Sequence, residues 1–413
     1  MVRSGLKIFV LSPFMYYSKT AHGGGSLSFG QLKVLAARHE IHFLSFFHDE
    51  GQDELSDAYN DLGEICKTVN TVKLDISTLK ILLSKFLLLL RLAPIEAKLH
   101  DSENMRRKLS ELIAAVSPDV VFIQFPMMAQ YVTLCHDVPT VLDLHDAFSV
   151  SGFRRFQSQN AFFQKLLEFI RWISWVFYEI RFYKKFDVVA ALTEQDRAGI
   201  EIFSPGLNAV VSPAAITLPD QLPELRAVPN TISFIGSFAH RPNIEAVKHF
   251  IQNIFPLVLA RVPDARFLVA GKNVPDELIA LSTANINFVG FVTTASSFMR
   301  SCAVNVVPLL SGGGIKIKTL EALACGCAVV STSIGAEEIG ARNGEHMYIS
   351  DEPGEFAECV IKLLGNENLG KILGKNAVEL IRENFSWDAK LESLENIFQH
   401  AIKRKQFRQE LSK

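Results

Sequence analysis

The 413-residue chain has almost no charge bias: 42 Lys and Arg stand against 44 Asp and Glu, a formal net charge of −2. That balance argues against a general nucleic-acid binder, which needs surplus cations to meet phosphate. Cysteine is scarce. Six residues do not staple a scaffold of this size, and Cys325 and Cys327, one residue apart, lack zinc-finger spacing. A reducing, cytoplasmic compartment is the expectation. No stretch of about 18 apolar residues runs free of charge, so no spanning helix is expected. The apolar run 6–11 is cut off by Ser12-Pro13; it is short for a secretory signal and reads as a buried strand. The eleven histidines are scattered, there is no HExxH, and no DxD adjoins a glycine-rich turn, so no metal site is expected. With 48% hydrophobic and 21% charged residues, the chain is neither a disordered tail nor a collagen-like fibre.

What the sequence does contain is a βα rhythm, twice. Strands are expected at 8–11, 41–46, 71–74, 120–124, 140–144 and 188–192. Helices are expected at 26–38, 78–91, 103–115, 160–184 and 194–203. Polar, proline-containing sequence at 212–230 follows as a linker. Strands then recur at 232–235, 266–270, 286–288, 304–308, 328–332 and 347–349. Helices recur near 243–259, 275–282, 293–301, 315–325, 353–363 and 367–383, with a last helix at 386–403 and a frayed, solvated tail at 403–413. The rhythm is that of an α/β protein with two doubly wound Rossmann-like sheets facing across a cleft. The expected division is 1–211, 212–385, and a closing helix and tail at 386–413, which the resemblance described below would return to the first domain.

Two glycine clusters invite a phosphate-bearing ligand. Gly23, Gly24 and Gly25 precede a helix expected near Ser26; Gly24 and Gly25 either line a ligand cleft or form a flexible cap. The sharper cluster is "SGGGIKIKTLEALACGCAVVST". Amides at Gly313, Gly314 and Ile315 suit a diphosphate, and Lys316 or Lys318 adds a charge-assisted bond. Glu321 cannot hold phosphate but can accept two ribose hydroxyl protons. Glu337 and Glu338 read as cap or solvent residues. The segment 161–186 interleaves aromatics with cations. It is either a domain-edge helix or a surface resting on anionic lipid.

The sequence resembles the retaining glycosyltransferases of family 4 (group 1), of GT-B fold, over nearly its whole length. "GGGIKIKTLEALACGCAVVST" is similar to the family signature, with Ala328 at its proline place. "TISFIGSFAHRPN" is similar to the donor-domain opening, "INFVGFV" to the base-contacting turn, "GGG" at 23–25 and "DLHDAF" to acceptor-side positions, and 383–398 to the C-terminal crossing helix. The resemblance implies metal-independent transfer, without cofactor, from a UDP- or GDP-linked sugar to a glycan or lipid-linked acceptor. It implies polysaccharide, lipopolysaccharide or glycolipid assembly, which would place the protein in the cytoplasm or at the inner face of the membrane. His145, Lys318 and Glu321 take the catalytic places. Gly24, Gly25, Gly236, Arg241, Gly271, Phe291, Val292, Gly313, Gly314, Ile315 and Lys316 take donor-binding ones. Asp146 is expected to orient His145 or cap the next helix, with Asp143 inside the strand edge. The sequence departs from the family in two places: Gly313 stands where the first of two glutamates is common, and Ser237 where an arginine is. A nucleotide-sugar epimerase or hydrolase, and a non-catalytic relative, are the alternatives.

Overall fold

The structure is a computed structural model that describes residues 5–18, 20, 23–47, 52–75, 93–159, 161–218, 227–312 and 314–411. The helix expected at 78–91 and Gly313 lie outside the described residues. The chain divides into two compact units, Met1–Ala214 with Lys390–Lys413, and Ala215–Ala389.

In the first unit, β1 (Lys7–Ser12), β2 (Glu40–Phe47), β3 (Thr68–Lys73), β4 (Val120–Gln124), β5 (Thr140–Leu144), β6 (Val188–Ala191) and β7 (Ala209–Val211) form one parallel sheet in the order β3-β2-β1-β4-β5-β6-β7. Alternation along the central strands sends residues to two separate cores. Ile8, Val10, Val120 and Phe122 enter one; Phe9, Leu11, Val121 and Ile123 enter the other. Both faces are covered, so these strands read as continuous apolar runs. The third strand lies at Thr68–Lys73 rather than at 71–74, because its whole length pairs with His42–Phe47. It is an edge strand, and the polar Thr68 and Asn70 hid its first half from an apolar-run search.

In the second unit, β8 (Val228–Ile235), β9 (Arg266–Ala270), β10 (Ile286–Gly290), β11 (Cys302–Val307), β12 (Val329–Ser331) and β13 (Tyr348–Ile349) are ordered β10-β9-β8-β11-β12-β13, again all parallel. Each sheet reverses direction of winding beside its first strand, at β1/β4 and β8/β11. That is where ligands of doubly wound sheets sit, beyond the C-terminal strand ends.

Three expectations need correction. The helix expected at 243–259 is three pieces: Arg241–His249, a π turn Phe250–Ile254, and Phe255–Leu259. Pro256 has no N–H to give the ladder, and the π turn absorbs the gap. The tail is not frayed through 411. The last helix runs Trp387–Leu411; Lys405 donates to the His136 carbonyl and Arg408 pairs with buried Asp187 at 3.1 Å. Leu391, Leu394, Phe398 and Ala401 of this helix enter the first unit's core, with Phe398 edge-on to Phe122 at 5.3 Å. Finally, the helix Gln52–Ile65 had no forerunner in the sequence reading, since its polar composition hides a narrow inner stripe of Ala58 and Leu62. Among the described residues no helix is long and apolar enough to cross a membrane.

Candidate functional site

In the first unit the site grows from the ends of β1, β4 and β5. The helix Gly23–Ala36 contains the glycine cluster in its first turn, instead of starting after it at Ser26. Gly24 is small for a packing reason. A Cβ there would stand 3.1 Å from the Phe125 ring and 3.7 Å from His145 Nδ1. Gly25 follows it in the same turn. Phe125, just past β4, has a φ of 68°, a backbone cost of about 1–3 kcal/mol for a bulky residue. In return its ring stacks on the His145 imidazole at 4.0 Å and 11°.

His145 leaves the end of β5 with its side chain buried. Its Nε2 lies 3.4 Å from Asp143 Oδ2 and 3.2 Å from Ser28 Oγ. Its Nδ1 is buried without a hydrogen-bond partner among the described residues. Asp143, not Asp146, is therefore the carboxylate beside His145. Asp146 instead accepts from Ser151 Oγ at 3.0 Å, within the next helix. Burial alone would raise the Asp143 pKa, but His145, Lys390 and Gln31 together hold it below the usual carboxylate range. Gln31 Nε2 donates to Asp143 Oδ2 (2.9 Å), Gln124 to Gln31 (2.9 Å) and Tyr16 to Gln124 (2.6 Å). This buried relay clamps Asp143 from behind. Lys390, from the last helix, donates to the Ser212 carbonyl and hydroxyl at 2.9 and 2.8 Å. Burial pulls its pKa down to about 8 against the pull of Asp143.

In the second unit the loops after β8, β9, β10, β11 and β12 converge. Gly271, with φ +155°, follows β9; a Cβ there would meet the Gly236 carbonyl at 1.8 Å. Only glycine lets these two loops touch. At Gly236 a Cβ would stand 2.9 Å from Asn243 Nδ2 and 3.1 Å from Lys318 Nζ. Lys318 donates to Asn243 Oδ1 and lies over the Phe234 ring at 4.8 Å. Burial, helped by the nearby Lys316 charge, lowers its pKa to about 8. Asn243, held by the Ser237 carbonyl at 2.7 Å, positions Lys318. The sequence reading missed Asn243, although its place three residues after His240 in "HRPN" marks a helix start.

The helix behind Lys318 spans Ile317–Ala324 and has no side-chain cap. It opens at Ile317, two residues later than expected, so its first free amides are those of Ile317 and Lys318 rather than Gly314 and Ile315. Gly314, with φ +68°, makes the turn into it, and the half-buried Ile315 packs on the core. Lys316 is committed elsewhere: its buried ammonium donates to the Gly314 carbonyl at 2.6 Å and to Glu337 at 3.1 Å. Glu337 is thus an ion-pair partner, which corrects its reading as a cap or solvent residue. Glu321 lies one turn along the helix, exposed and without a side-chain partner among the described residues, and partial desolvation raises its pKa. Arg241 is exposed and pairs with Glu245 on its own helix at 2.8 Å. Phe291 is 61% exposed, with the Lys272 ammonium 4.4 Å over its ring; Val292 beside it is half-buried. Among the described residues no group of three or more His, Cys, Asp or Glu gathers in metal-binding geometry.

Two doubly wound parallel sheets, each with polar groups gathered past its C-terminal strand ends, define the class: this is the GT-B fold. Sucrose-phosphate synthase from Thermosynechococcus elongatus superposes with a TM-score of 0.63 at 15% identity, covering 95% of this chain and 98% of that one. HepE from Anabaena in complex with UDP superposes with a TM-score of 0.62 at 13% identity, covering 95% and 100%. Residues 229–366 match the family described as glycosyl transferases group 1, and the chain is a GT-B protein related to that family. An uncharacterized protein of the cps region of Klebsiella pneumoniae is 26% identical over 399 residues, 92% of this chain and 96% of its own. The phosphatidyl-myo-inositol mannosyltransferase of Mycobacterium tuberculosis is 31% identical over 150 residues, 34% of this chain and 39% of its own.

Proposed function

We propose that the protein transfers a sugar, with retention of anomeric configuration, from a nucleoside diphosphate sugar to a hydroxyl of a glycan or lipid-linked acceptor. One observation carries this reading. A half-buried ammonium (Lys318), an uncapped helix start (Ile317) and a carboxylate (Glu321) with no side-chain partner among the described residues occur within about one helical turn at the mouth of a doubly wound sheet. Diphosphate charge suits the first two, and a ribose diol suits the third. The mannosyltransferase relative supports sugar transfer, and the UDP-bound neighbour supports a nucleotide-linked donor.

In this reading the donor diphosphate rests against the Ile317 and Lys318 amides, and Gly236 and Gly271 let it approach their loops closely. Lys318 offsets the negative charge that grows on the diphosphate as the sugar C1–O bond breaks. The acceptor oxygen bonds to C1 on the same face, and its proton passes to the departing phosphate oxygen. No second carboxylate is then required, unlike a glycosidase. The charge is met by Lys318 and the helix end, so we read the transfer as metal-independent. Lys316 braces the loop through Glu337. His145, stacked under Phe125 and held by Asp143 and Ser28, has Nδ1 left for a sugar hydroxyl. Phe291 and Val292 border the nucleobase through their backbone. A lipid-linked acceptor would place the enzyme at the inner face of a membrane. The test is incubation with UDP- and GDP-sugars and candidate acceptors, with product anomeric configuration read by NMR. Inverted product removes the retaining step, and sugar interconversion without acceptor points to an epimerase.

A further inference from the structure

The helix Phe162–Phe182 has two apolar sides, and only one of them serves the fold. Inward, Trp175 stacks on Phe148 at 4.3 Å and Tyr178 donates to the Met127 carbonyl at 3.2 Å. Outward, Phe162 and Phe163 are 75% and 78% exposed, and Leu166, Leu167, Phe177 and Ile180 are exposed with them. Positions 162, 166, 170, 173, 177 and 180 recur every three or four residues. They form a single stripe, exposed at 162, 166, 177 and 180 and half-buried at 170 and 173, about 27 Å long at 1.5 Å per residue.

The stripe is bordered by exposed Lys165, Arg181, Lys184 and Lys185. Residues 154–186 hold seven cations and two carboxylates, in a chain whose net charge is −2. Glu179 is buried, and Glu168 pairs with Arg155 and Arg171 at 3.8 and 2.8 Å, so the carboxylates of this segment offset those two arginines but not Lys165, Arg181, Lys184 or Lys185. Apolar surface of this extent marks a docking site. A second copy is a poor occupant, since self-pairing would set these cations against their own kind. An anionic bilayer meets both features, taking the aromatics at the acyl boundary and the cations at the headgroups.

We propose that the outer face of the Phe162–Phe182 helix docks on an anionic lipid surface, with the helix lying in the plane of the interface. Its inner face stays on the protein, so it does not cross. The proposal stands apart from the transferase reading and is tested without any sugar donor. The full chain is floated with phosphatidylcholine vesicles, with and without phosphatidylglycerol, beside two variants. One is Phe162→Ser/Phe163→Ser/Leu166→Ser and the other Lys184→Ala/Lys185→Ala. All changed residues are exposed, and unchanged thermal melting verifies the fold. The wild type is expected to bind only the anionic vesicles, less at high salt. The triple variant should lose at least about tenfold in partitioning, and each lysine about fivefold. Failure to bind anionic vesicles, equal binding to neutral ones, or full binding by the triple variant overturns the proposal. So does a dimer in sedimentation that the triple variant dissolves while vesicles capture nothing.

Discussion

Replacing Lys318 by methionine removes an ammonium while keeping the apolar stem that covers Phe234. In the free protein that ammonium is held at a cost. The fall of its pKa from 10.5 to about 8 corresponds to about 3 kcal/mol against the charged form. An arriving diphosphate relieves that penalty, and a charge-assisted hydrogen bond to phosphate is worth about 1.5–3 kcal/mol. Calorimetry should therefore show UDP or GDP binding about 10- to 100-fold more weakly to Lys318→Met, with the nucleoside alone unaffected. The pH dependence gives a second readout. Binding needs the protonated lysine, so wild-type affinity should hold below about pH 8 and fall about tenfold per unit above it. The variant should show no such fall. Glu321→Gln supplies the contrast, since a ribose contact is common to nucleoside and nucleotide and both should weaken alike. Equal losses of nucleoside and nucleotide in Lys318→Met, or a pH slope that survives the substitution, would refute the phosphate role.

Two further predictions concern the first unit. His145→Ala should lower kcat about a hundredfold or more with little change in nucleotide affinity. Asp143→Asn keeps the Gln31 bond but loses the charge, so it should fall between that variant and wild type and shift the pH–rate profile. Unchanged turnover in both would remove this pair from the site. Glu179, buried with its Oε1 accepting from the Ser149 amide at 3.0 Å, has its pKa raised by burial to about 7 from 4.5. The native carboxyl keeps its proton through a window in which the unfolded one has released it, so stability falls as pH rises from about 4.5 to 7. Glu179→Gln should thus raise the melting temperature at pH 8, by up to about 3 kcal/mol of stability, and barely at pH 5. Equal effects at both pH values would contradict a neutral native carboxyl.

The sequence determined the architecture because central strands buried on both faces must be continuously apolar, and such runs are visible in one dimension. β4 and β5 lie at 120–124 and 140–144, as their sequence indicated. The first half of the edge strand β3 and the polar helix Gln52–Ile65 slipped past because each buries too little to leave a pattern. The sequence also marked out Lys318 and Glu321, since a glycine-rich turn entering a helix has local chemistry. Partnership was another matter. That Asp143 rather than Asp146 lies beside His145 is decided by side-chain direction at the end of one strand, whereas Lys316 spent on Glu337 and Asn243 holding Lys318 across 75 residues are contacts between loops separated in the chain. They exist only because parallel strands bring those loops to the same sheet edge. The outward stripe of the Phe162–Phe182 helix was equally undecided from sequence: a helix apolar on two sides fits an interior or an interface, and only packing shows which side the protein leaves uncovered.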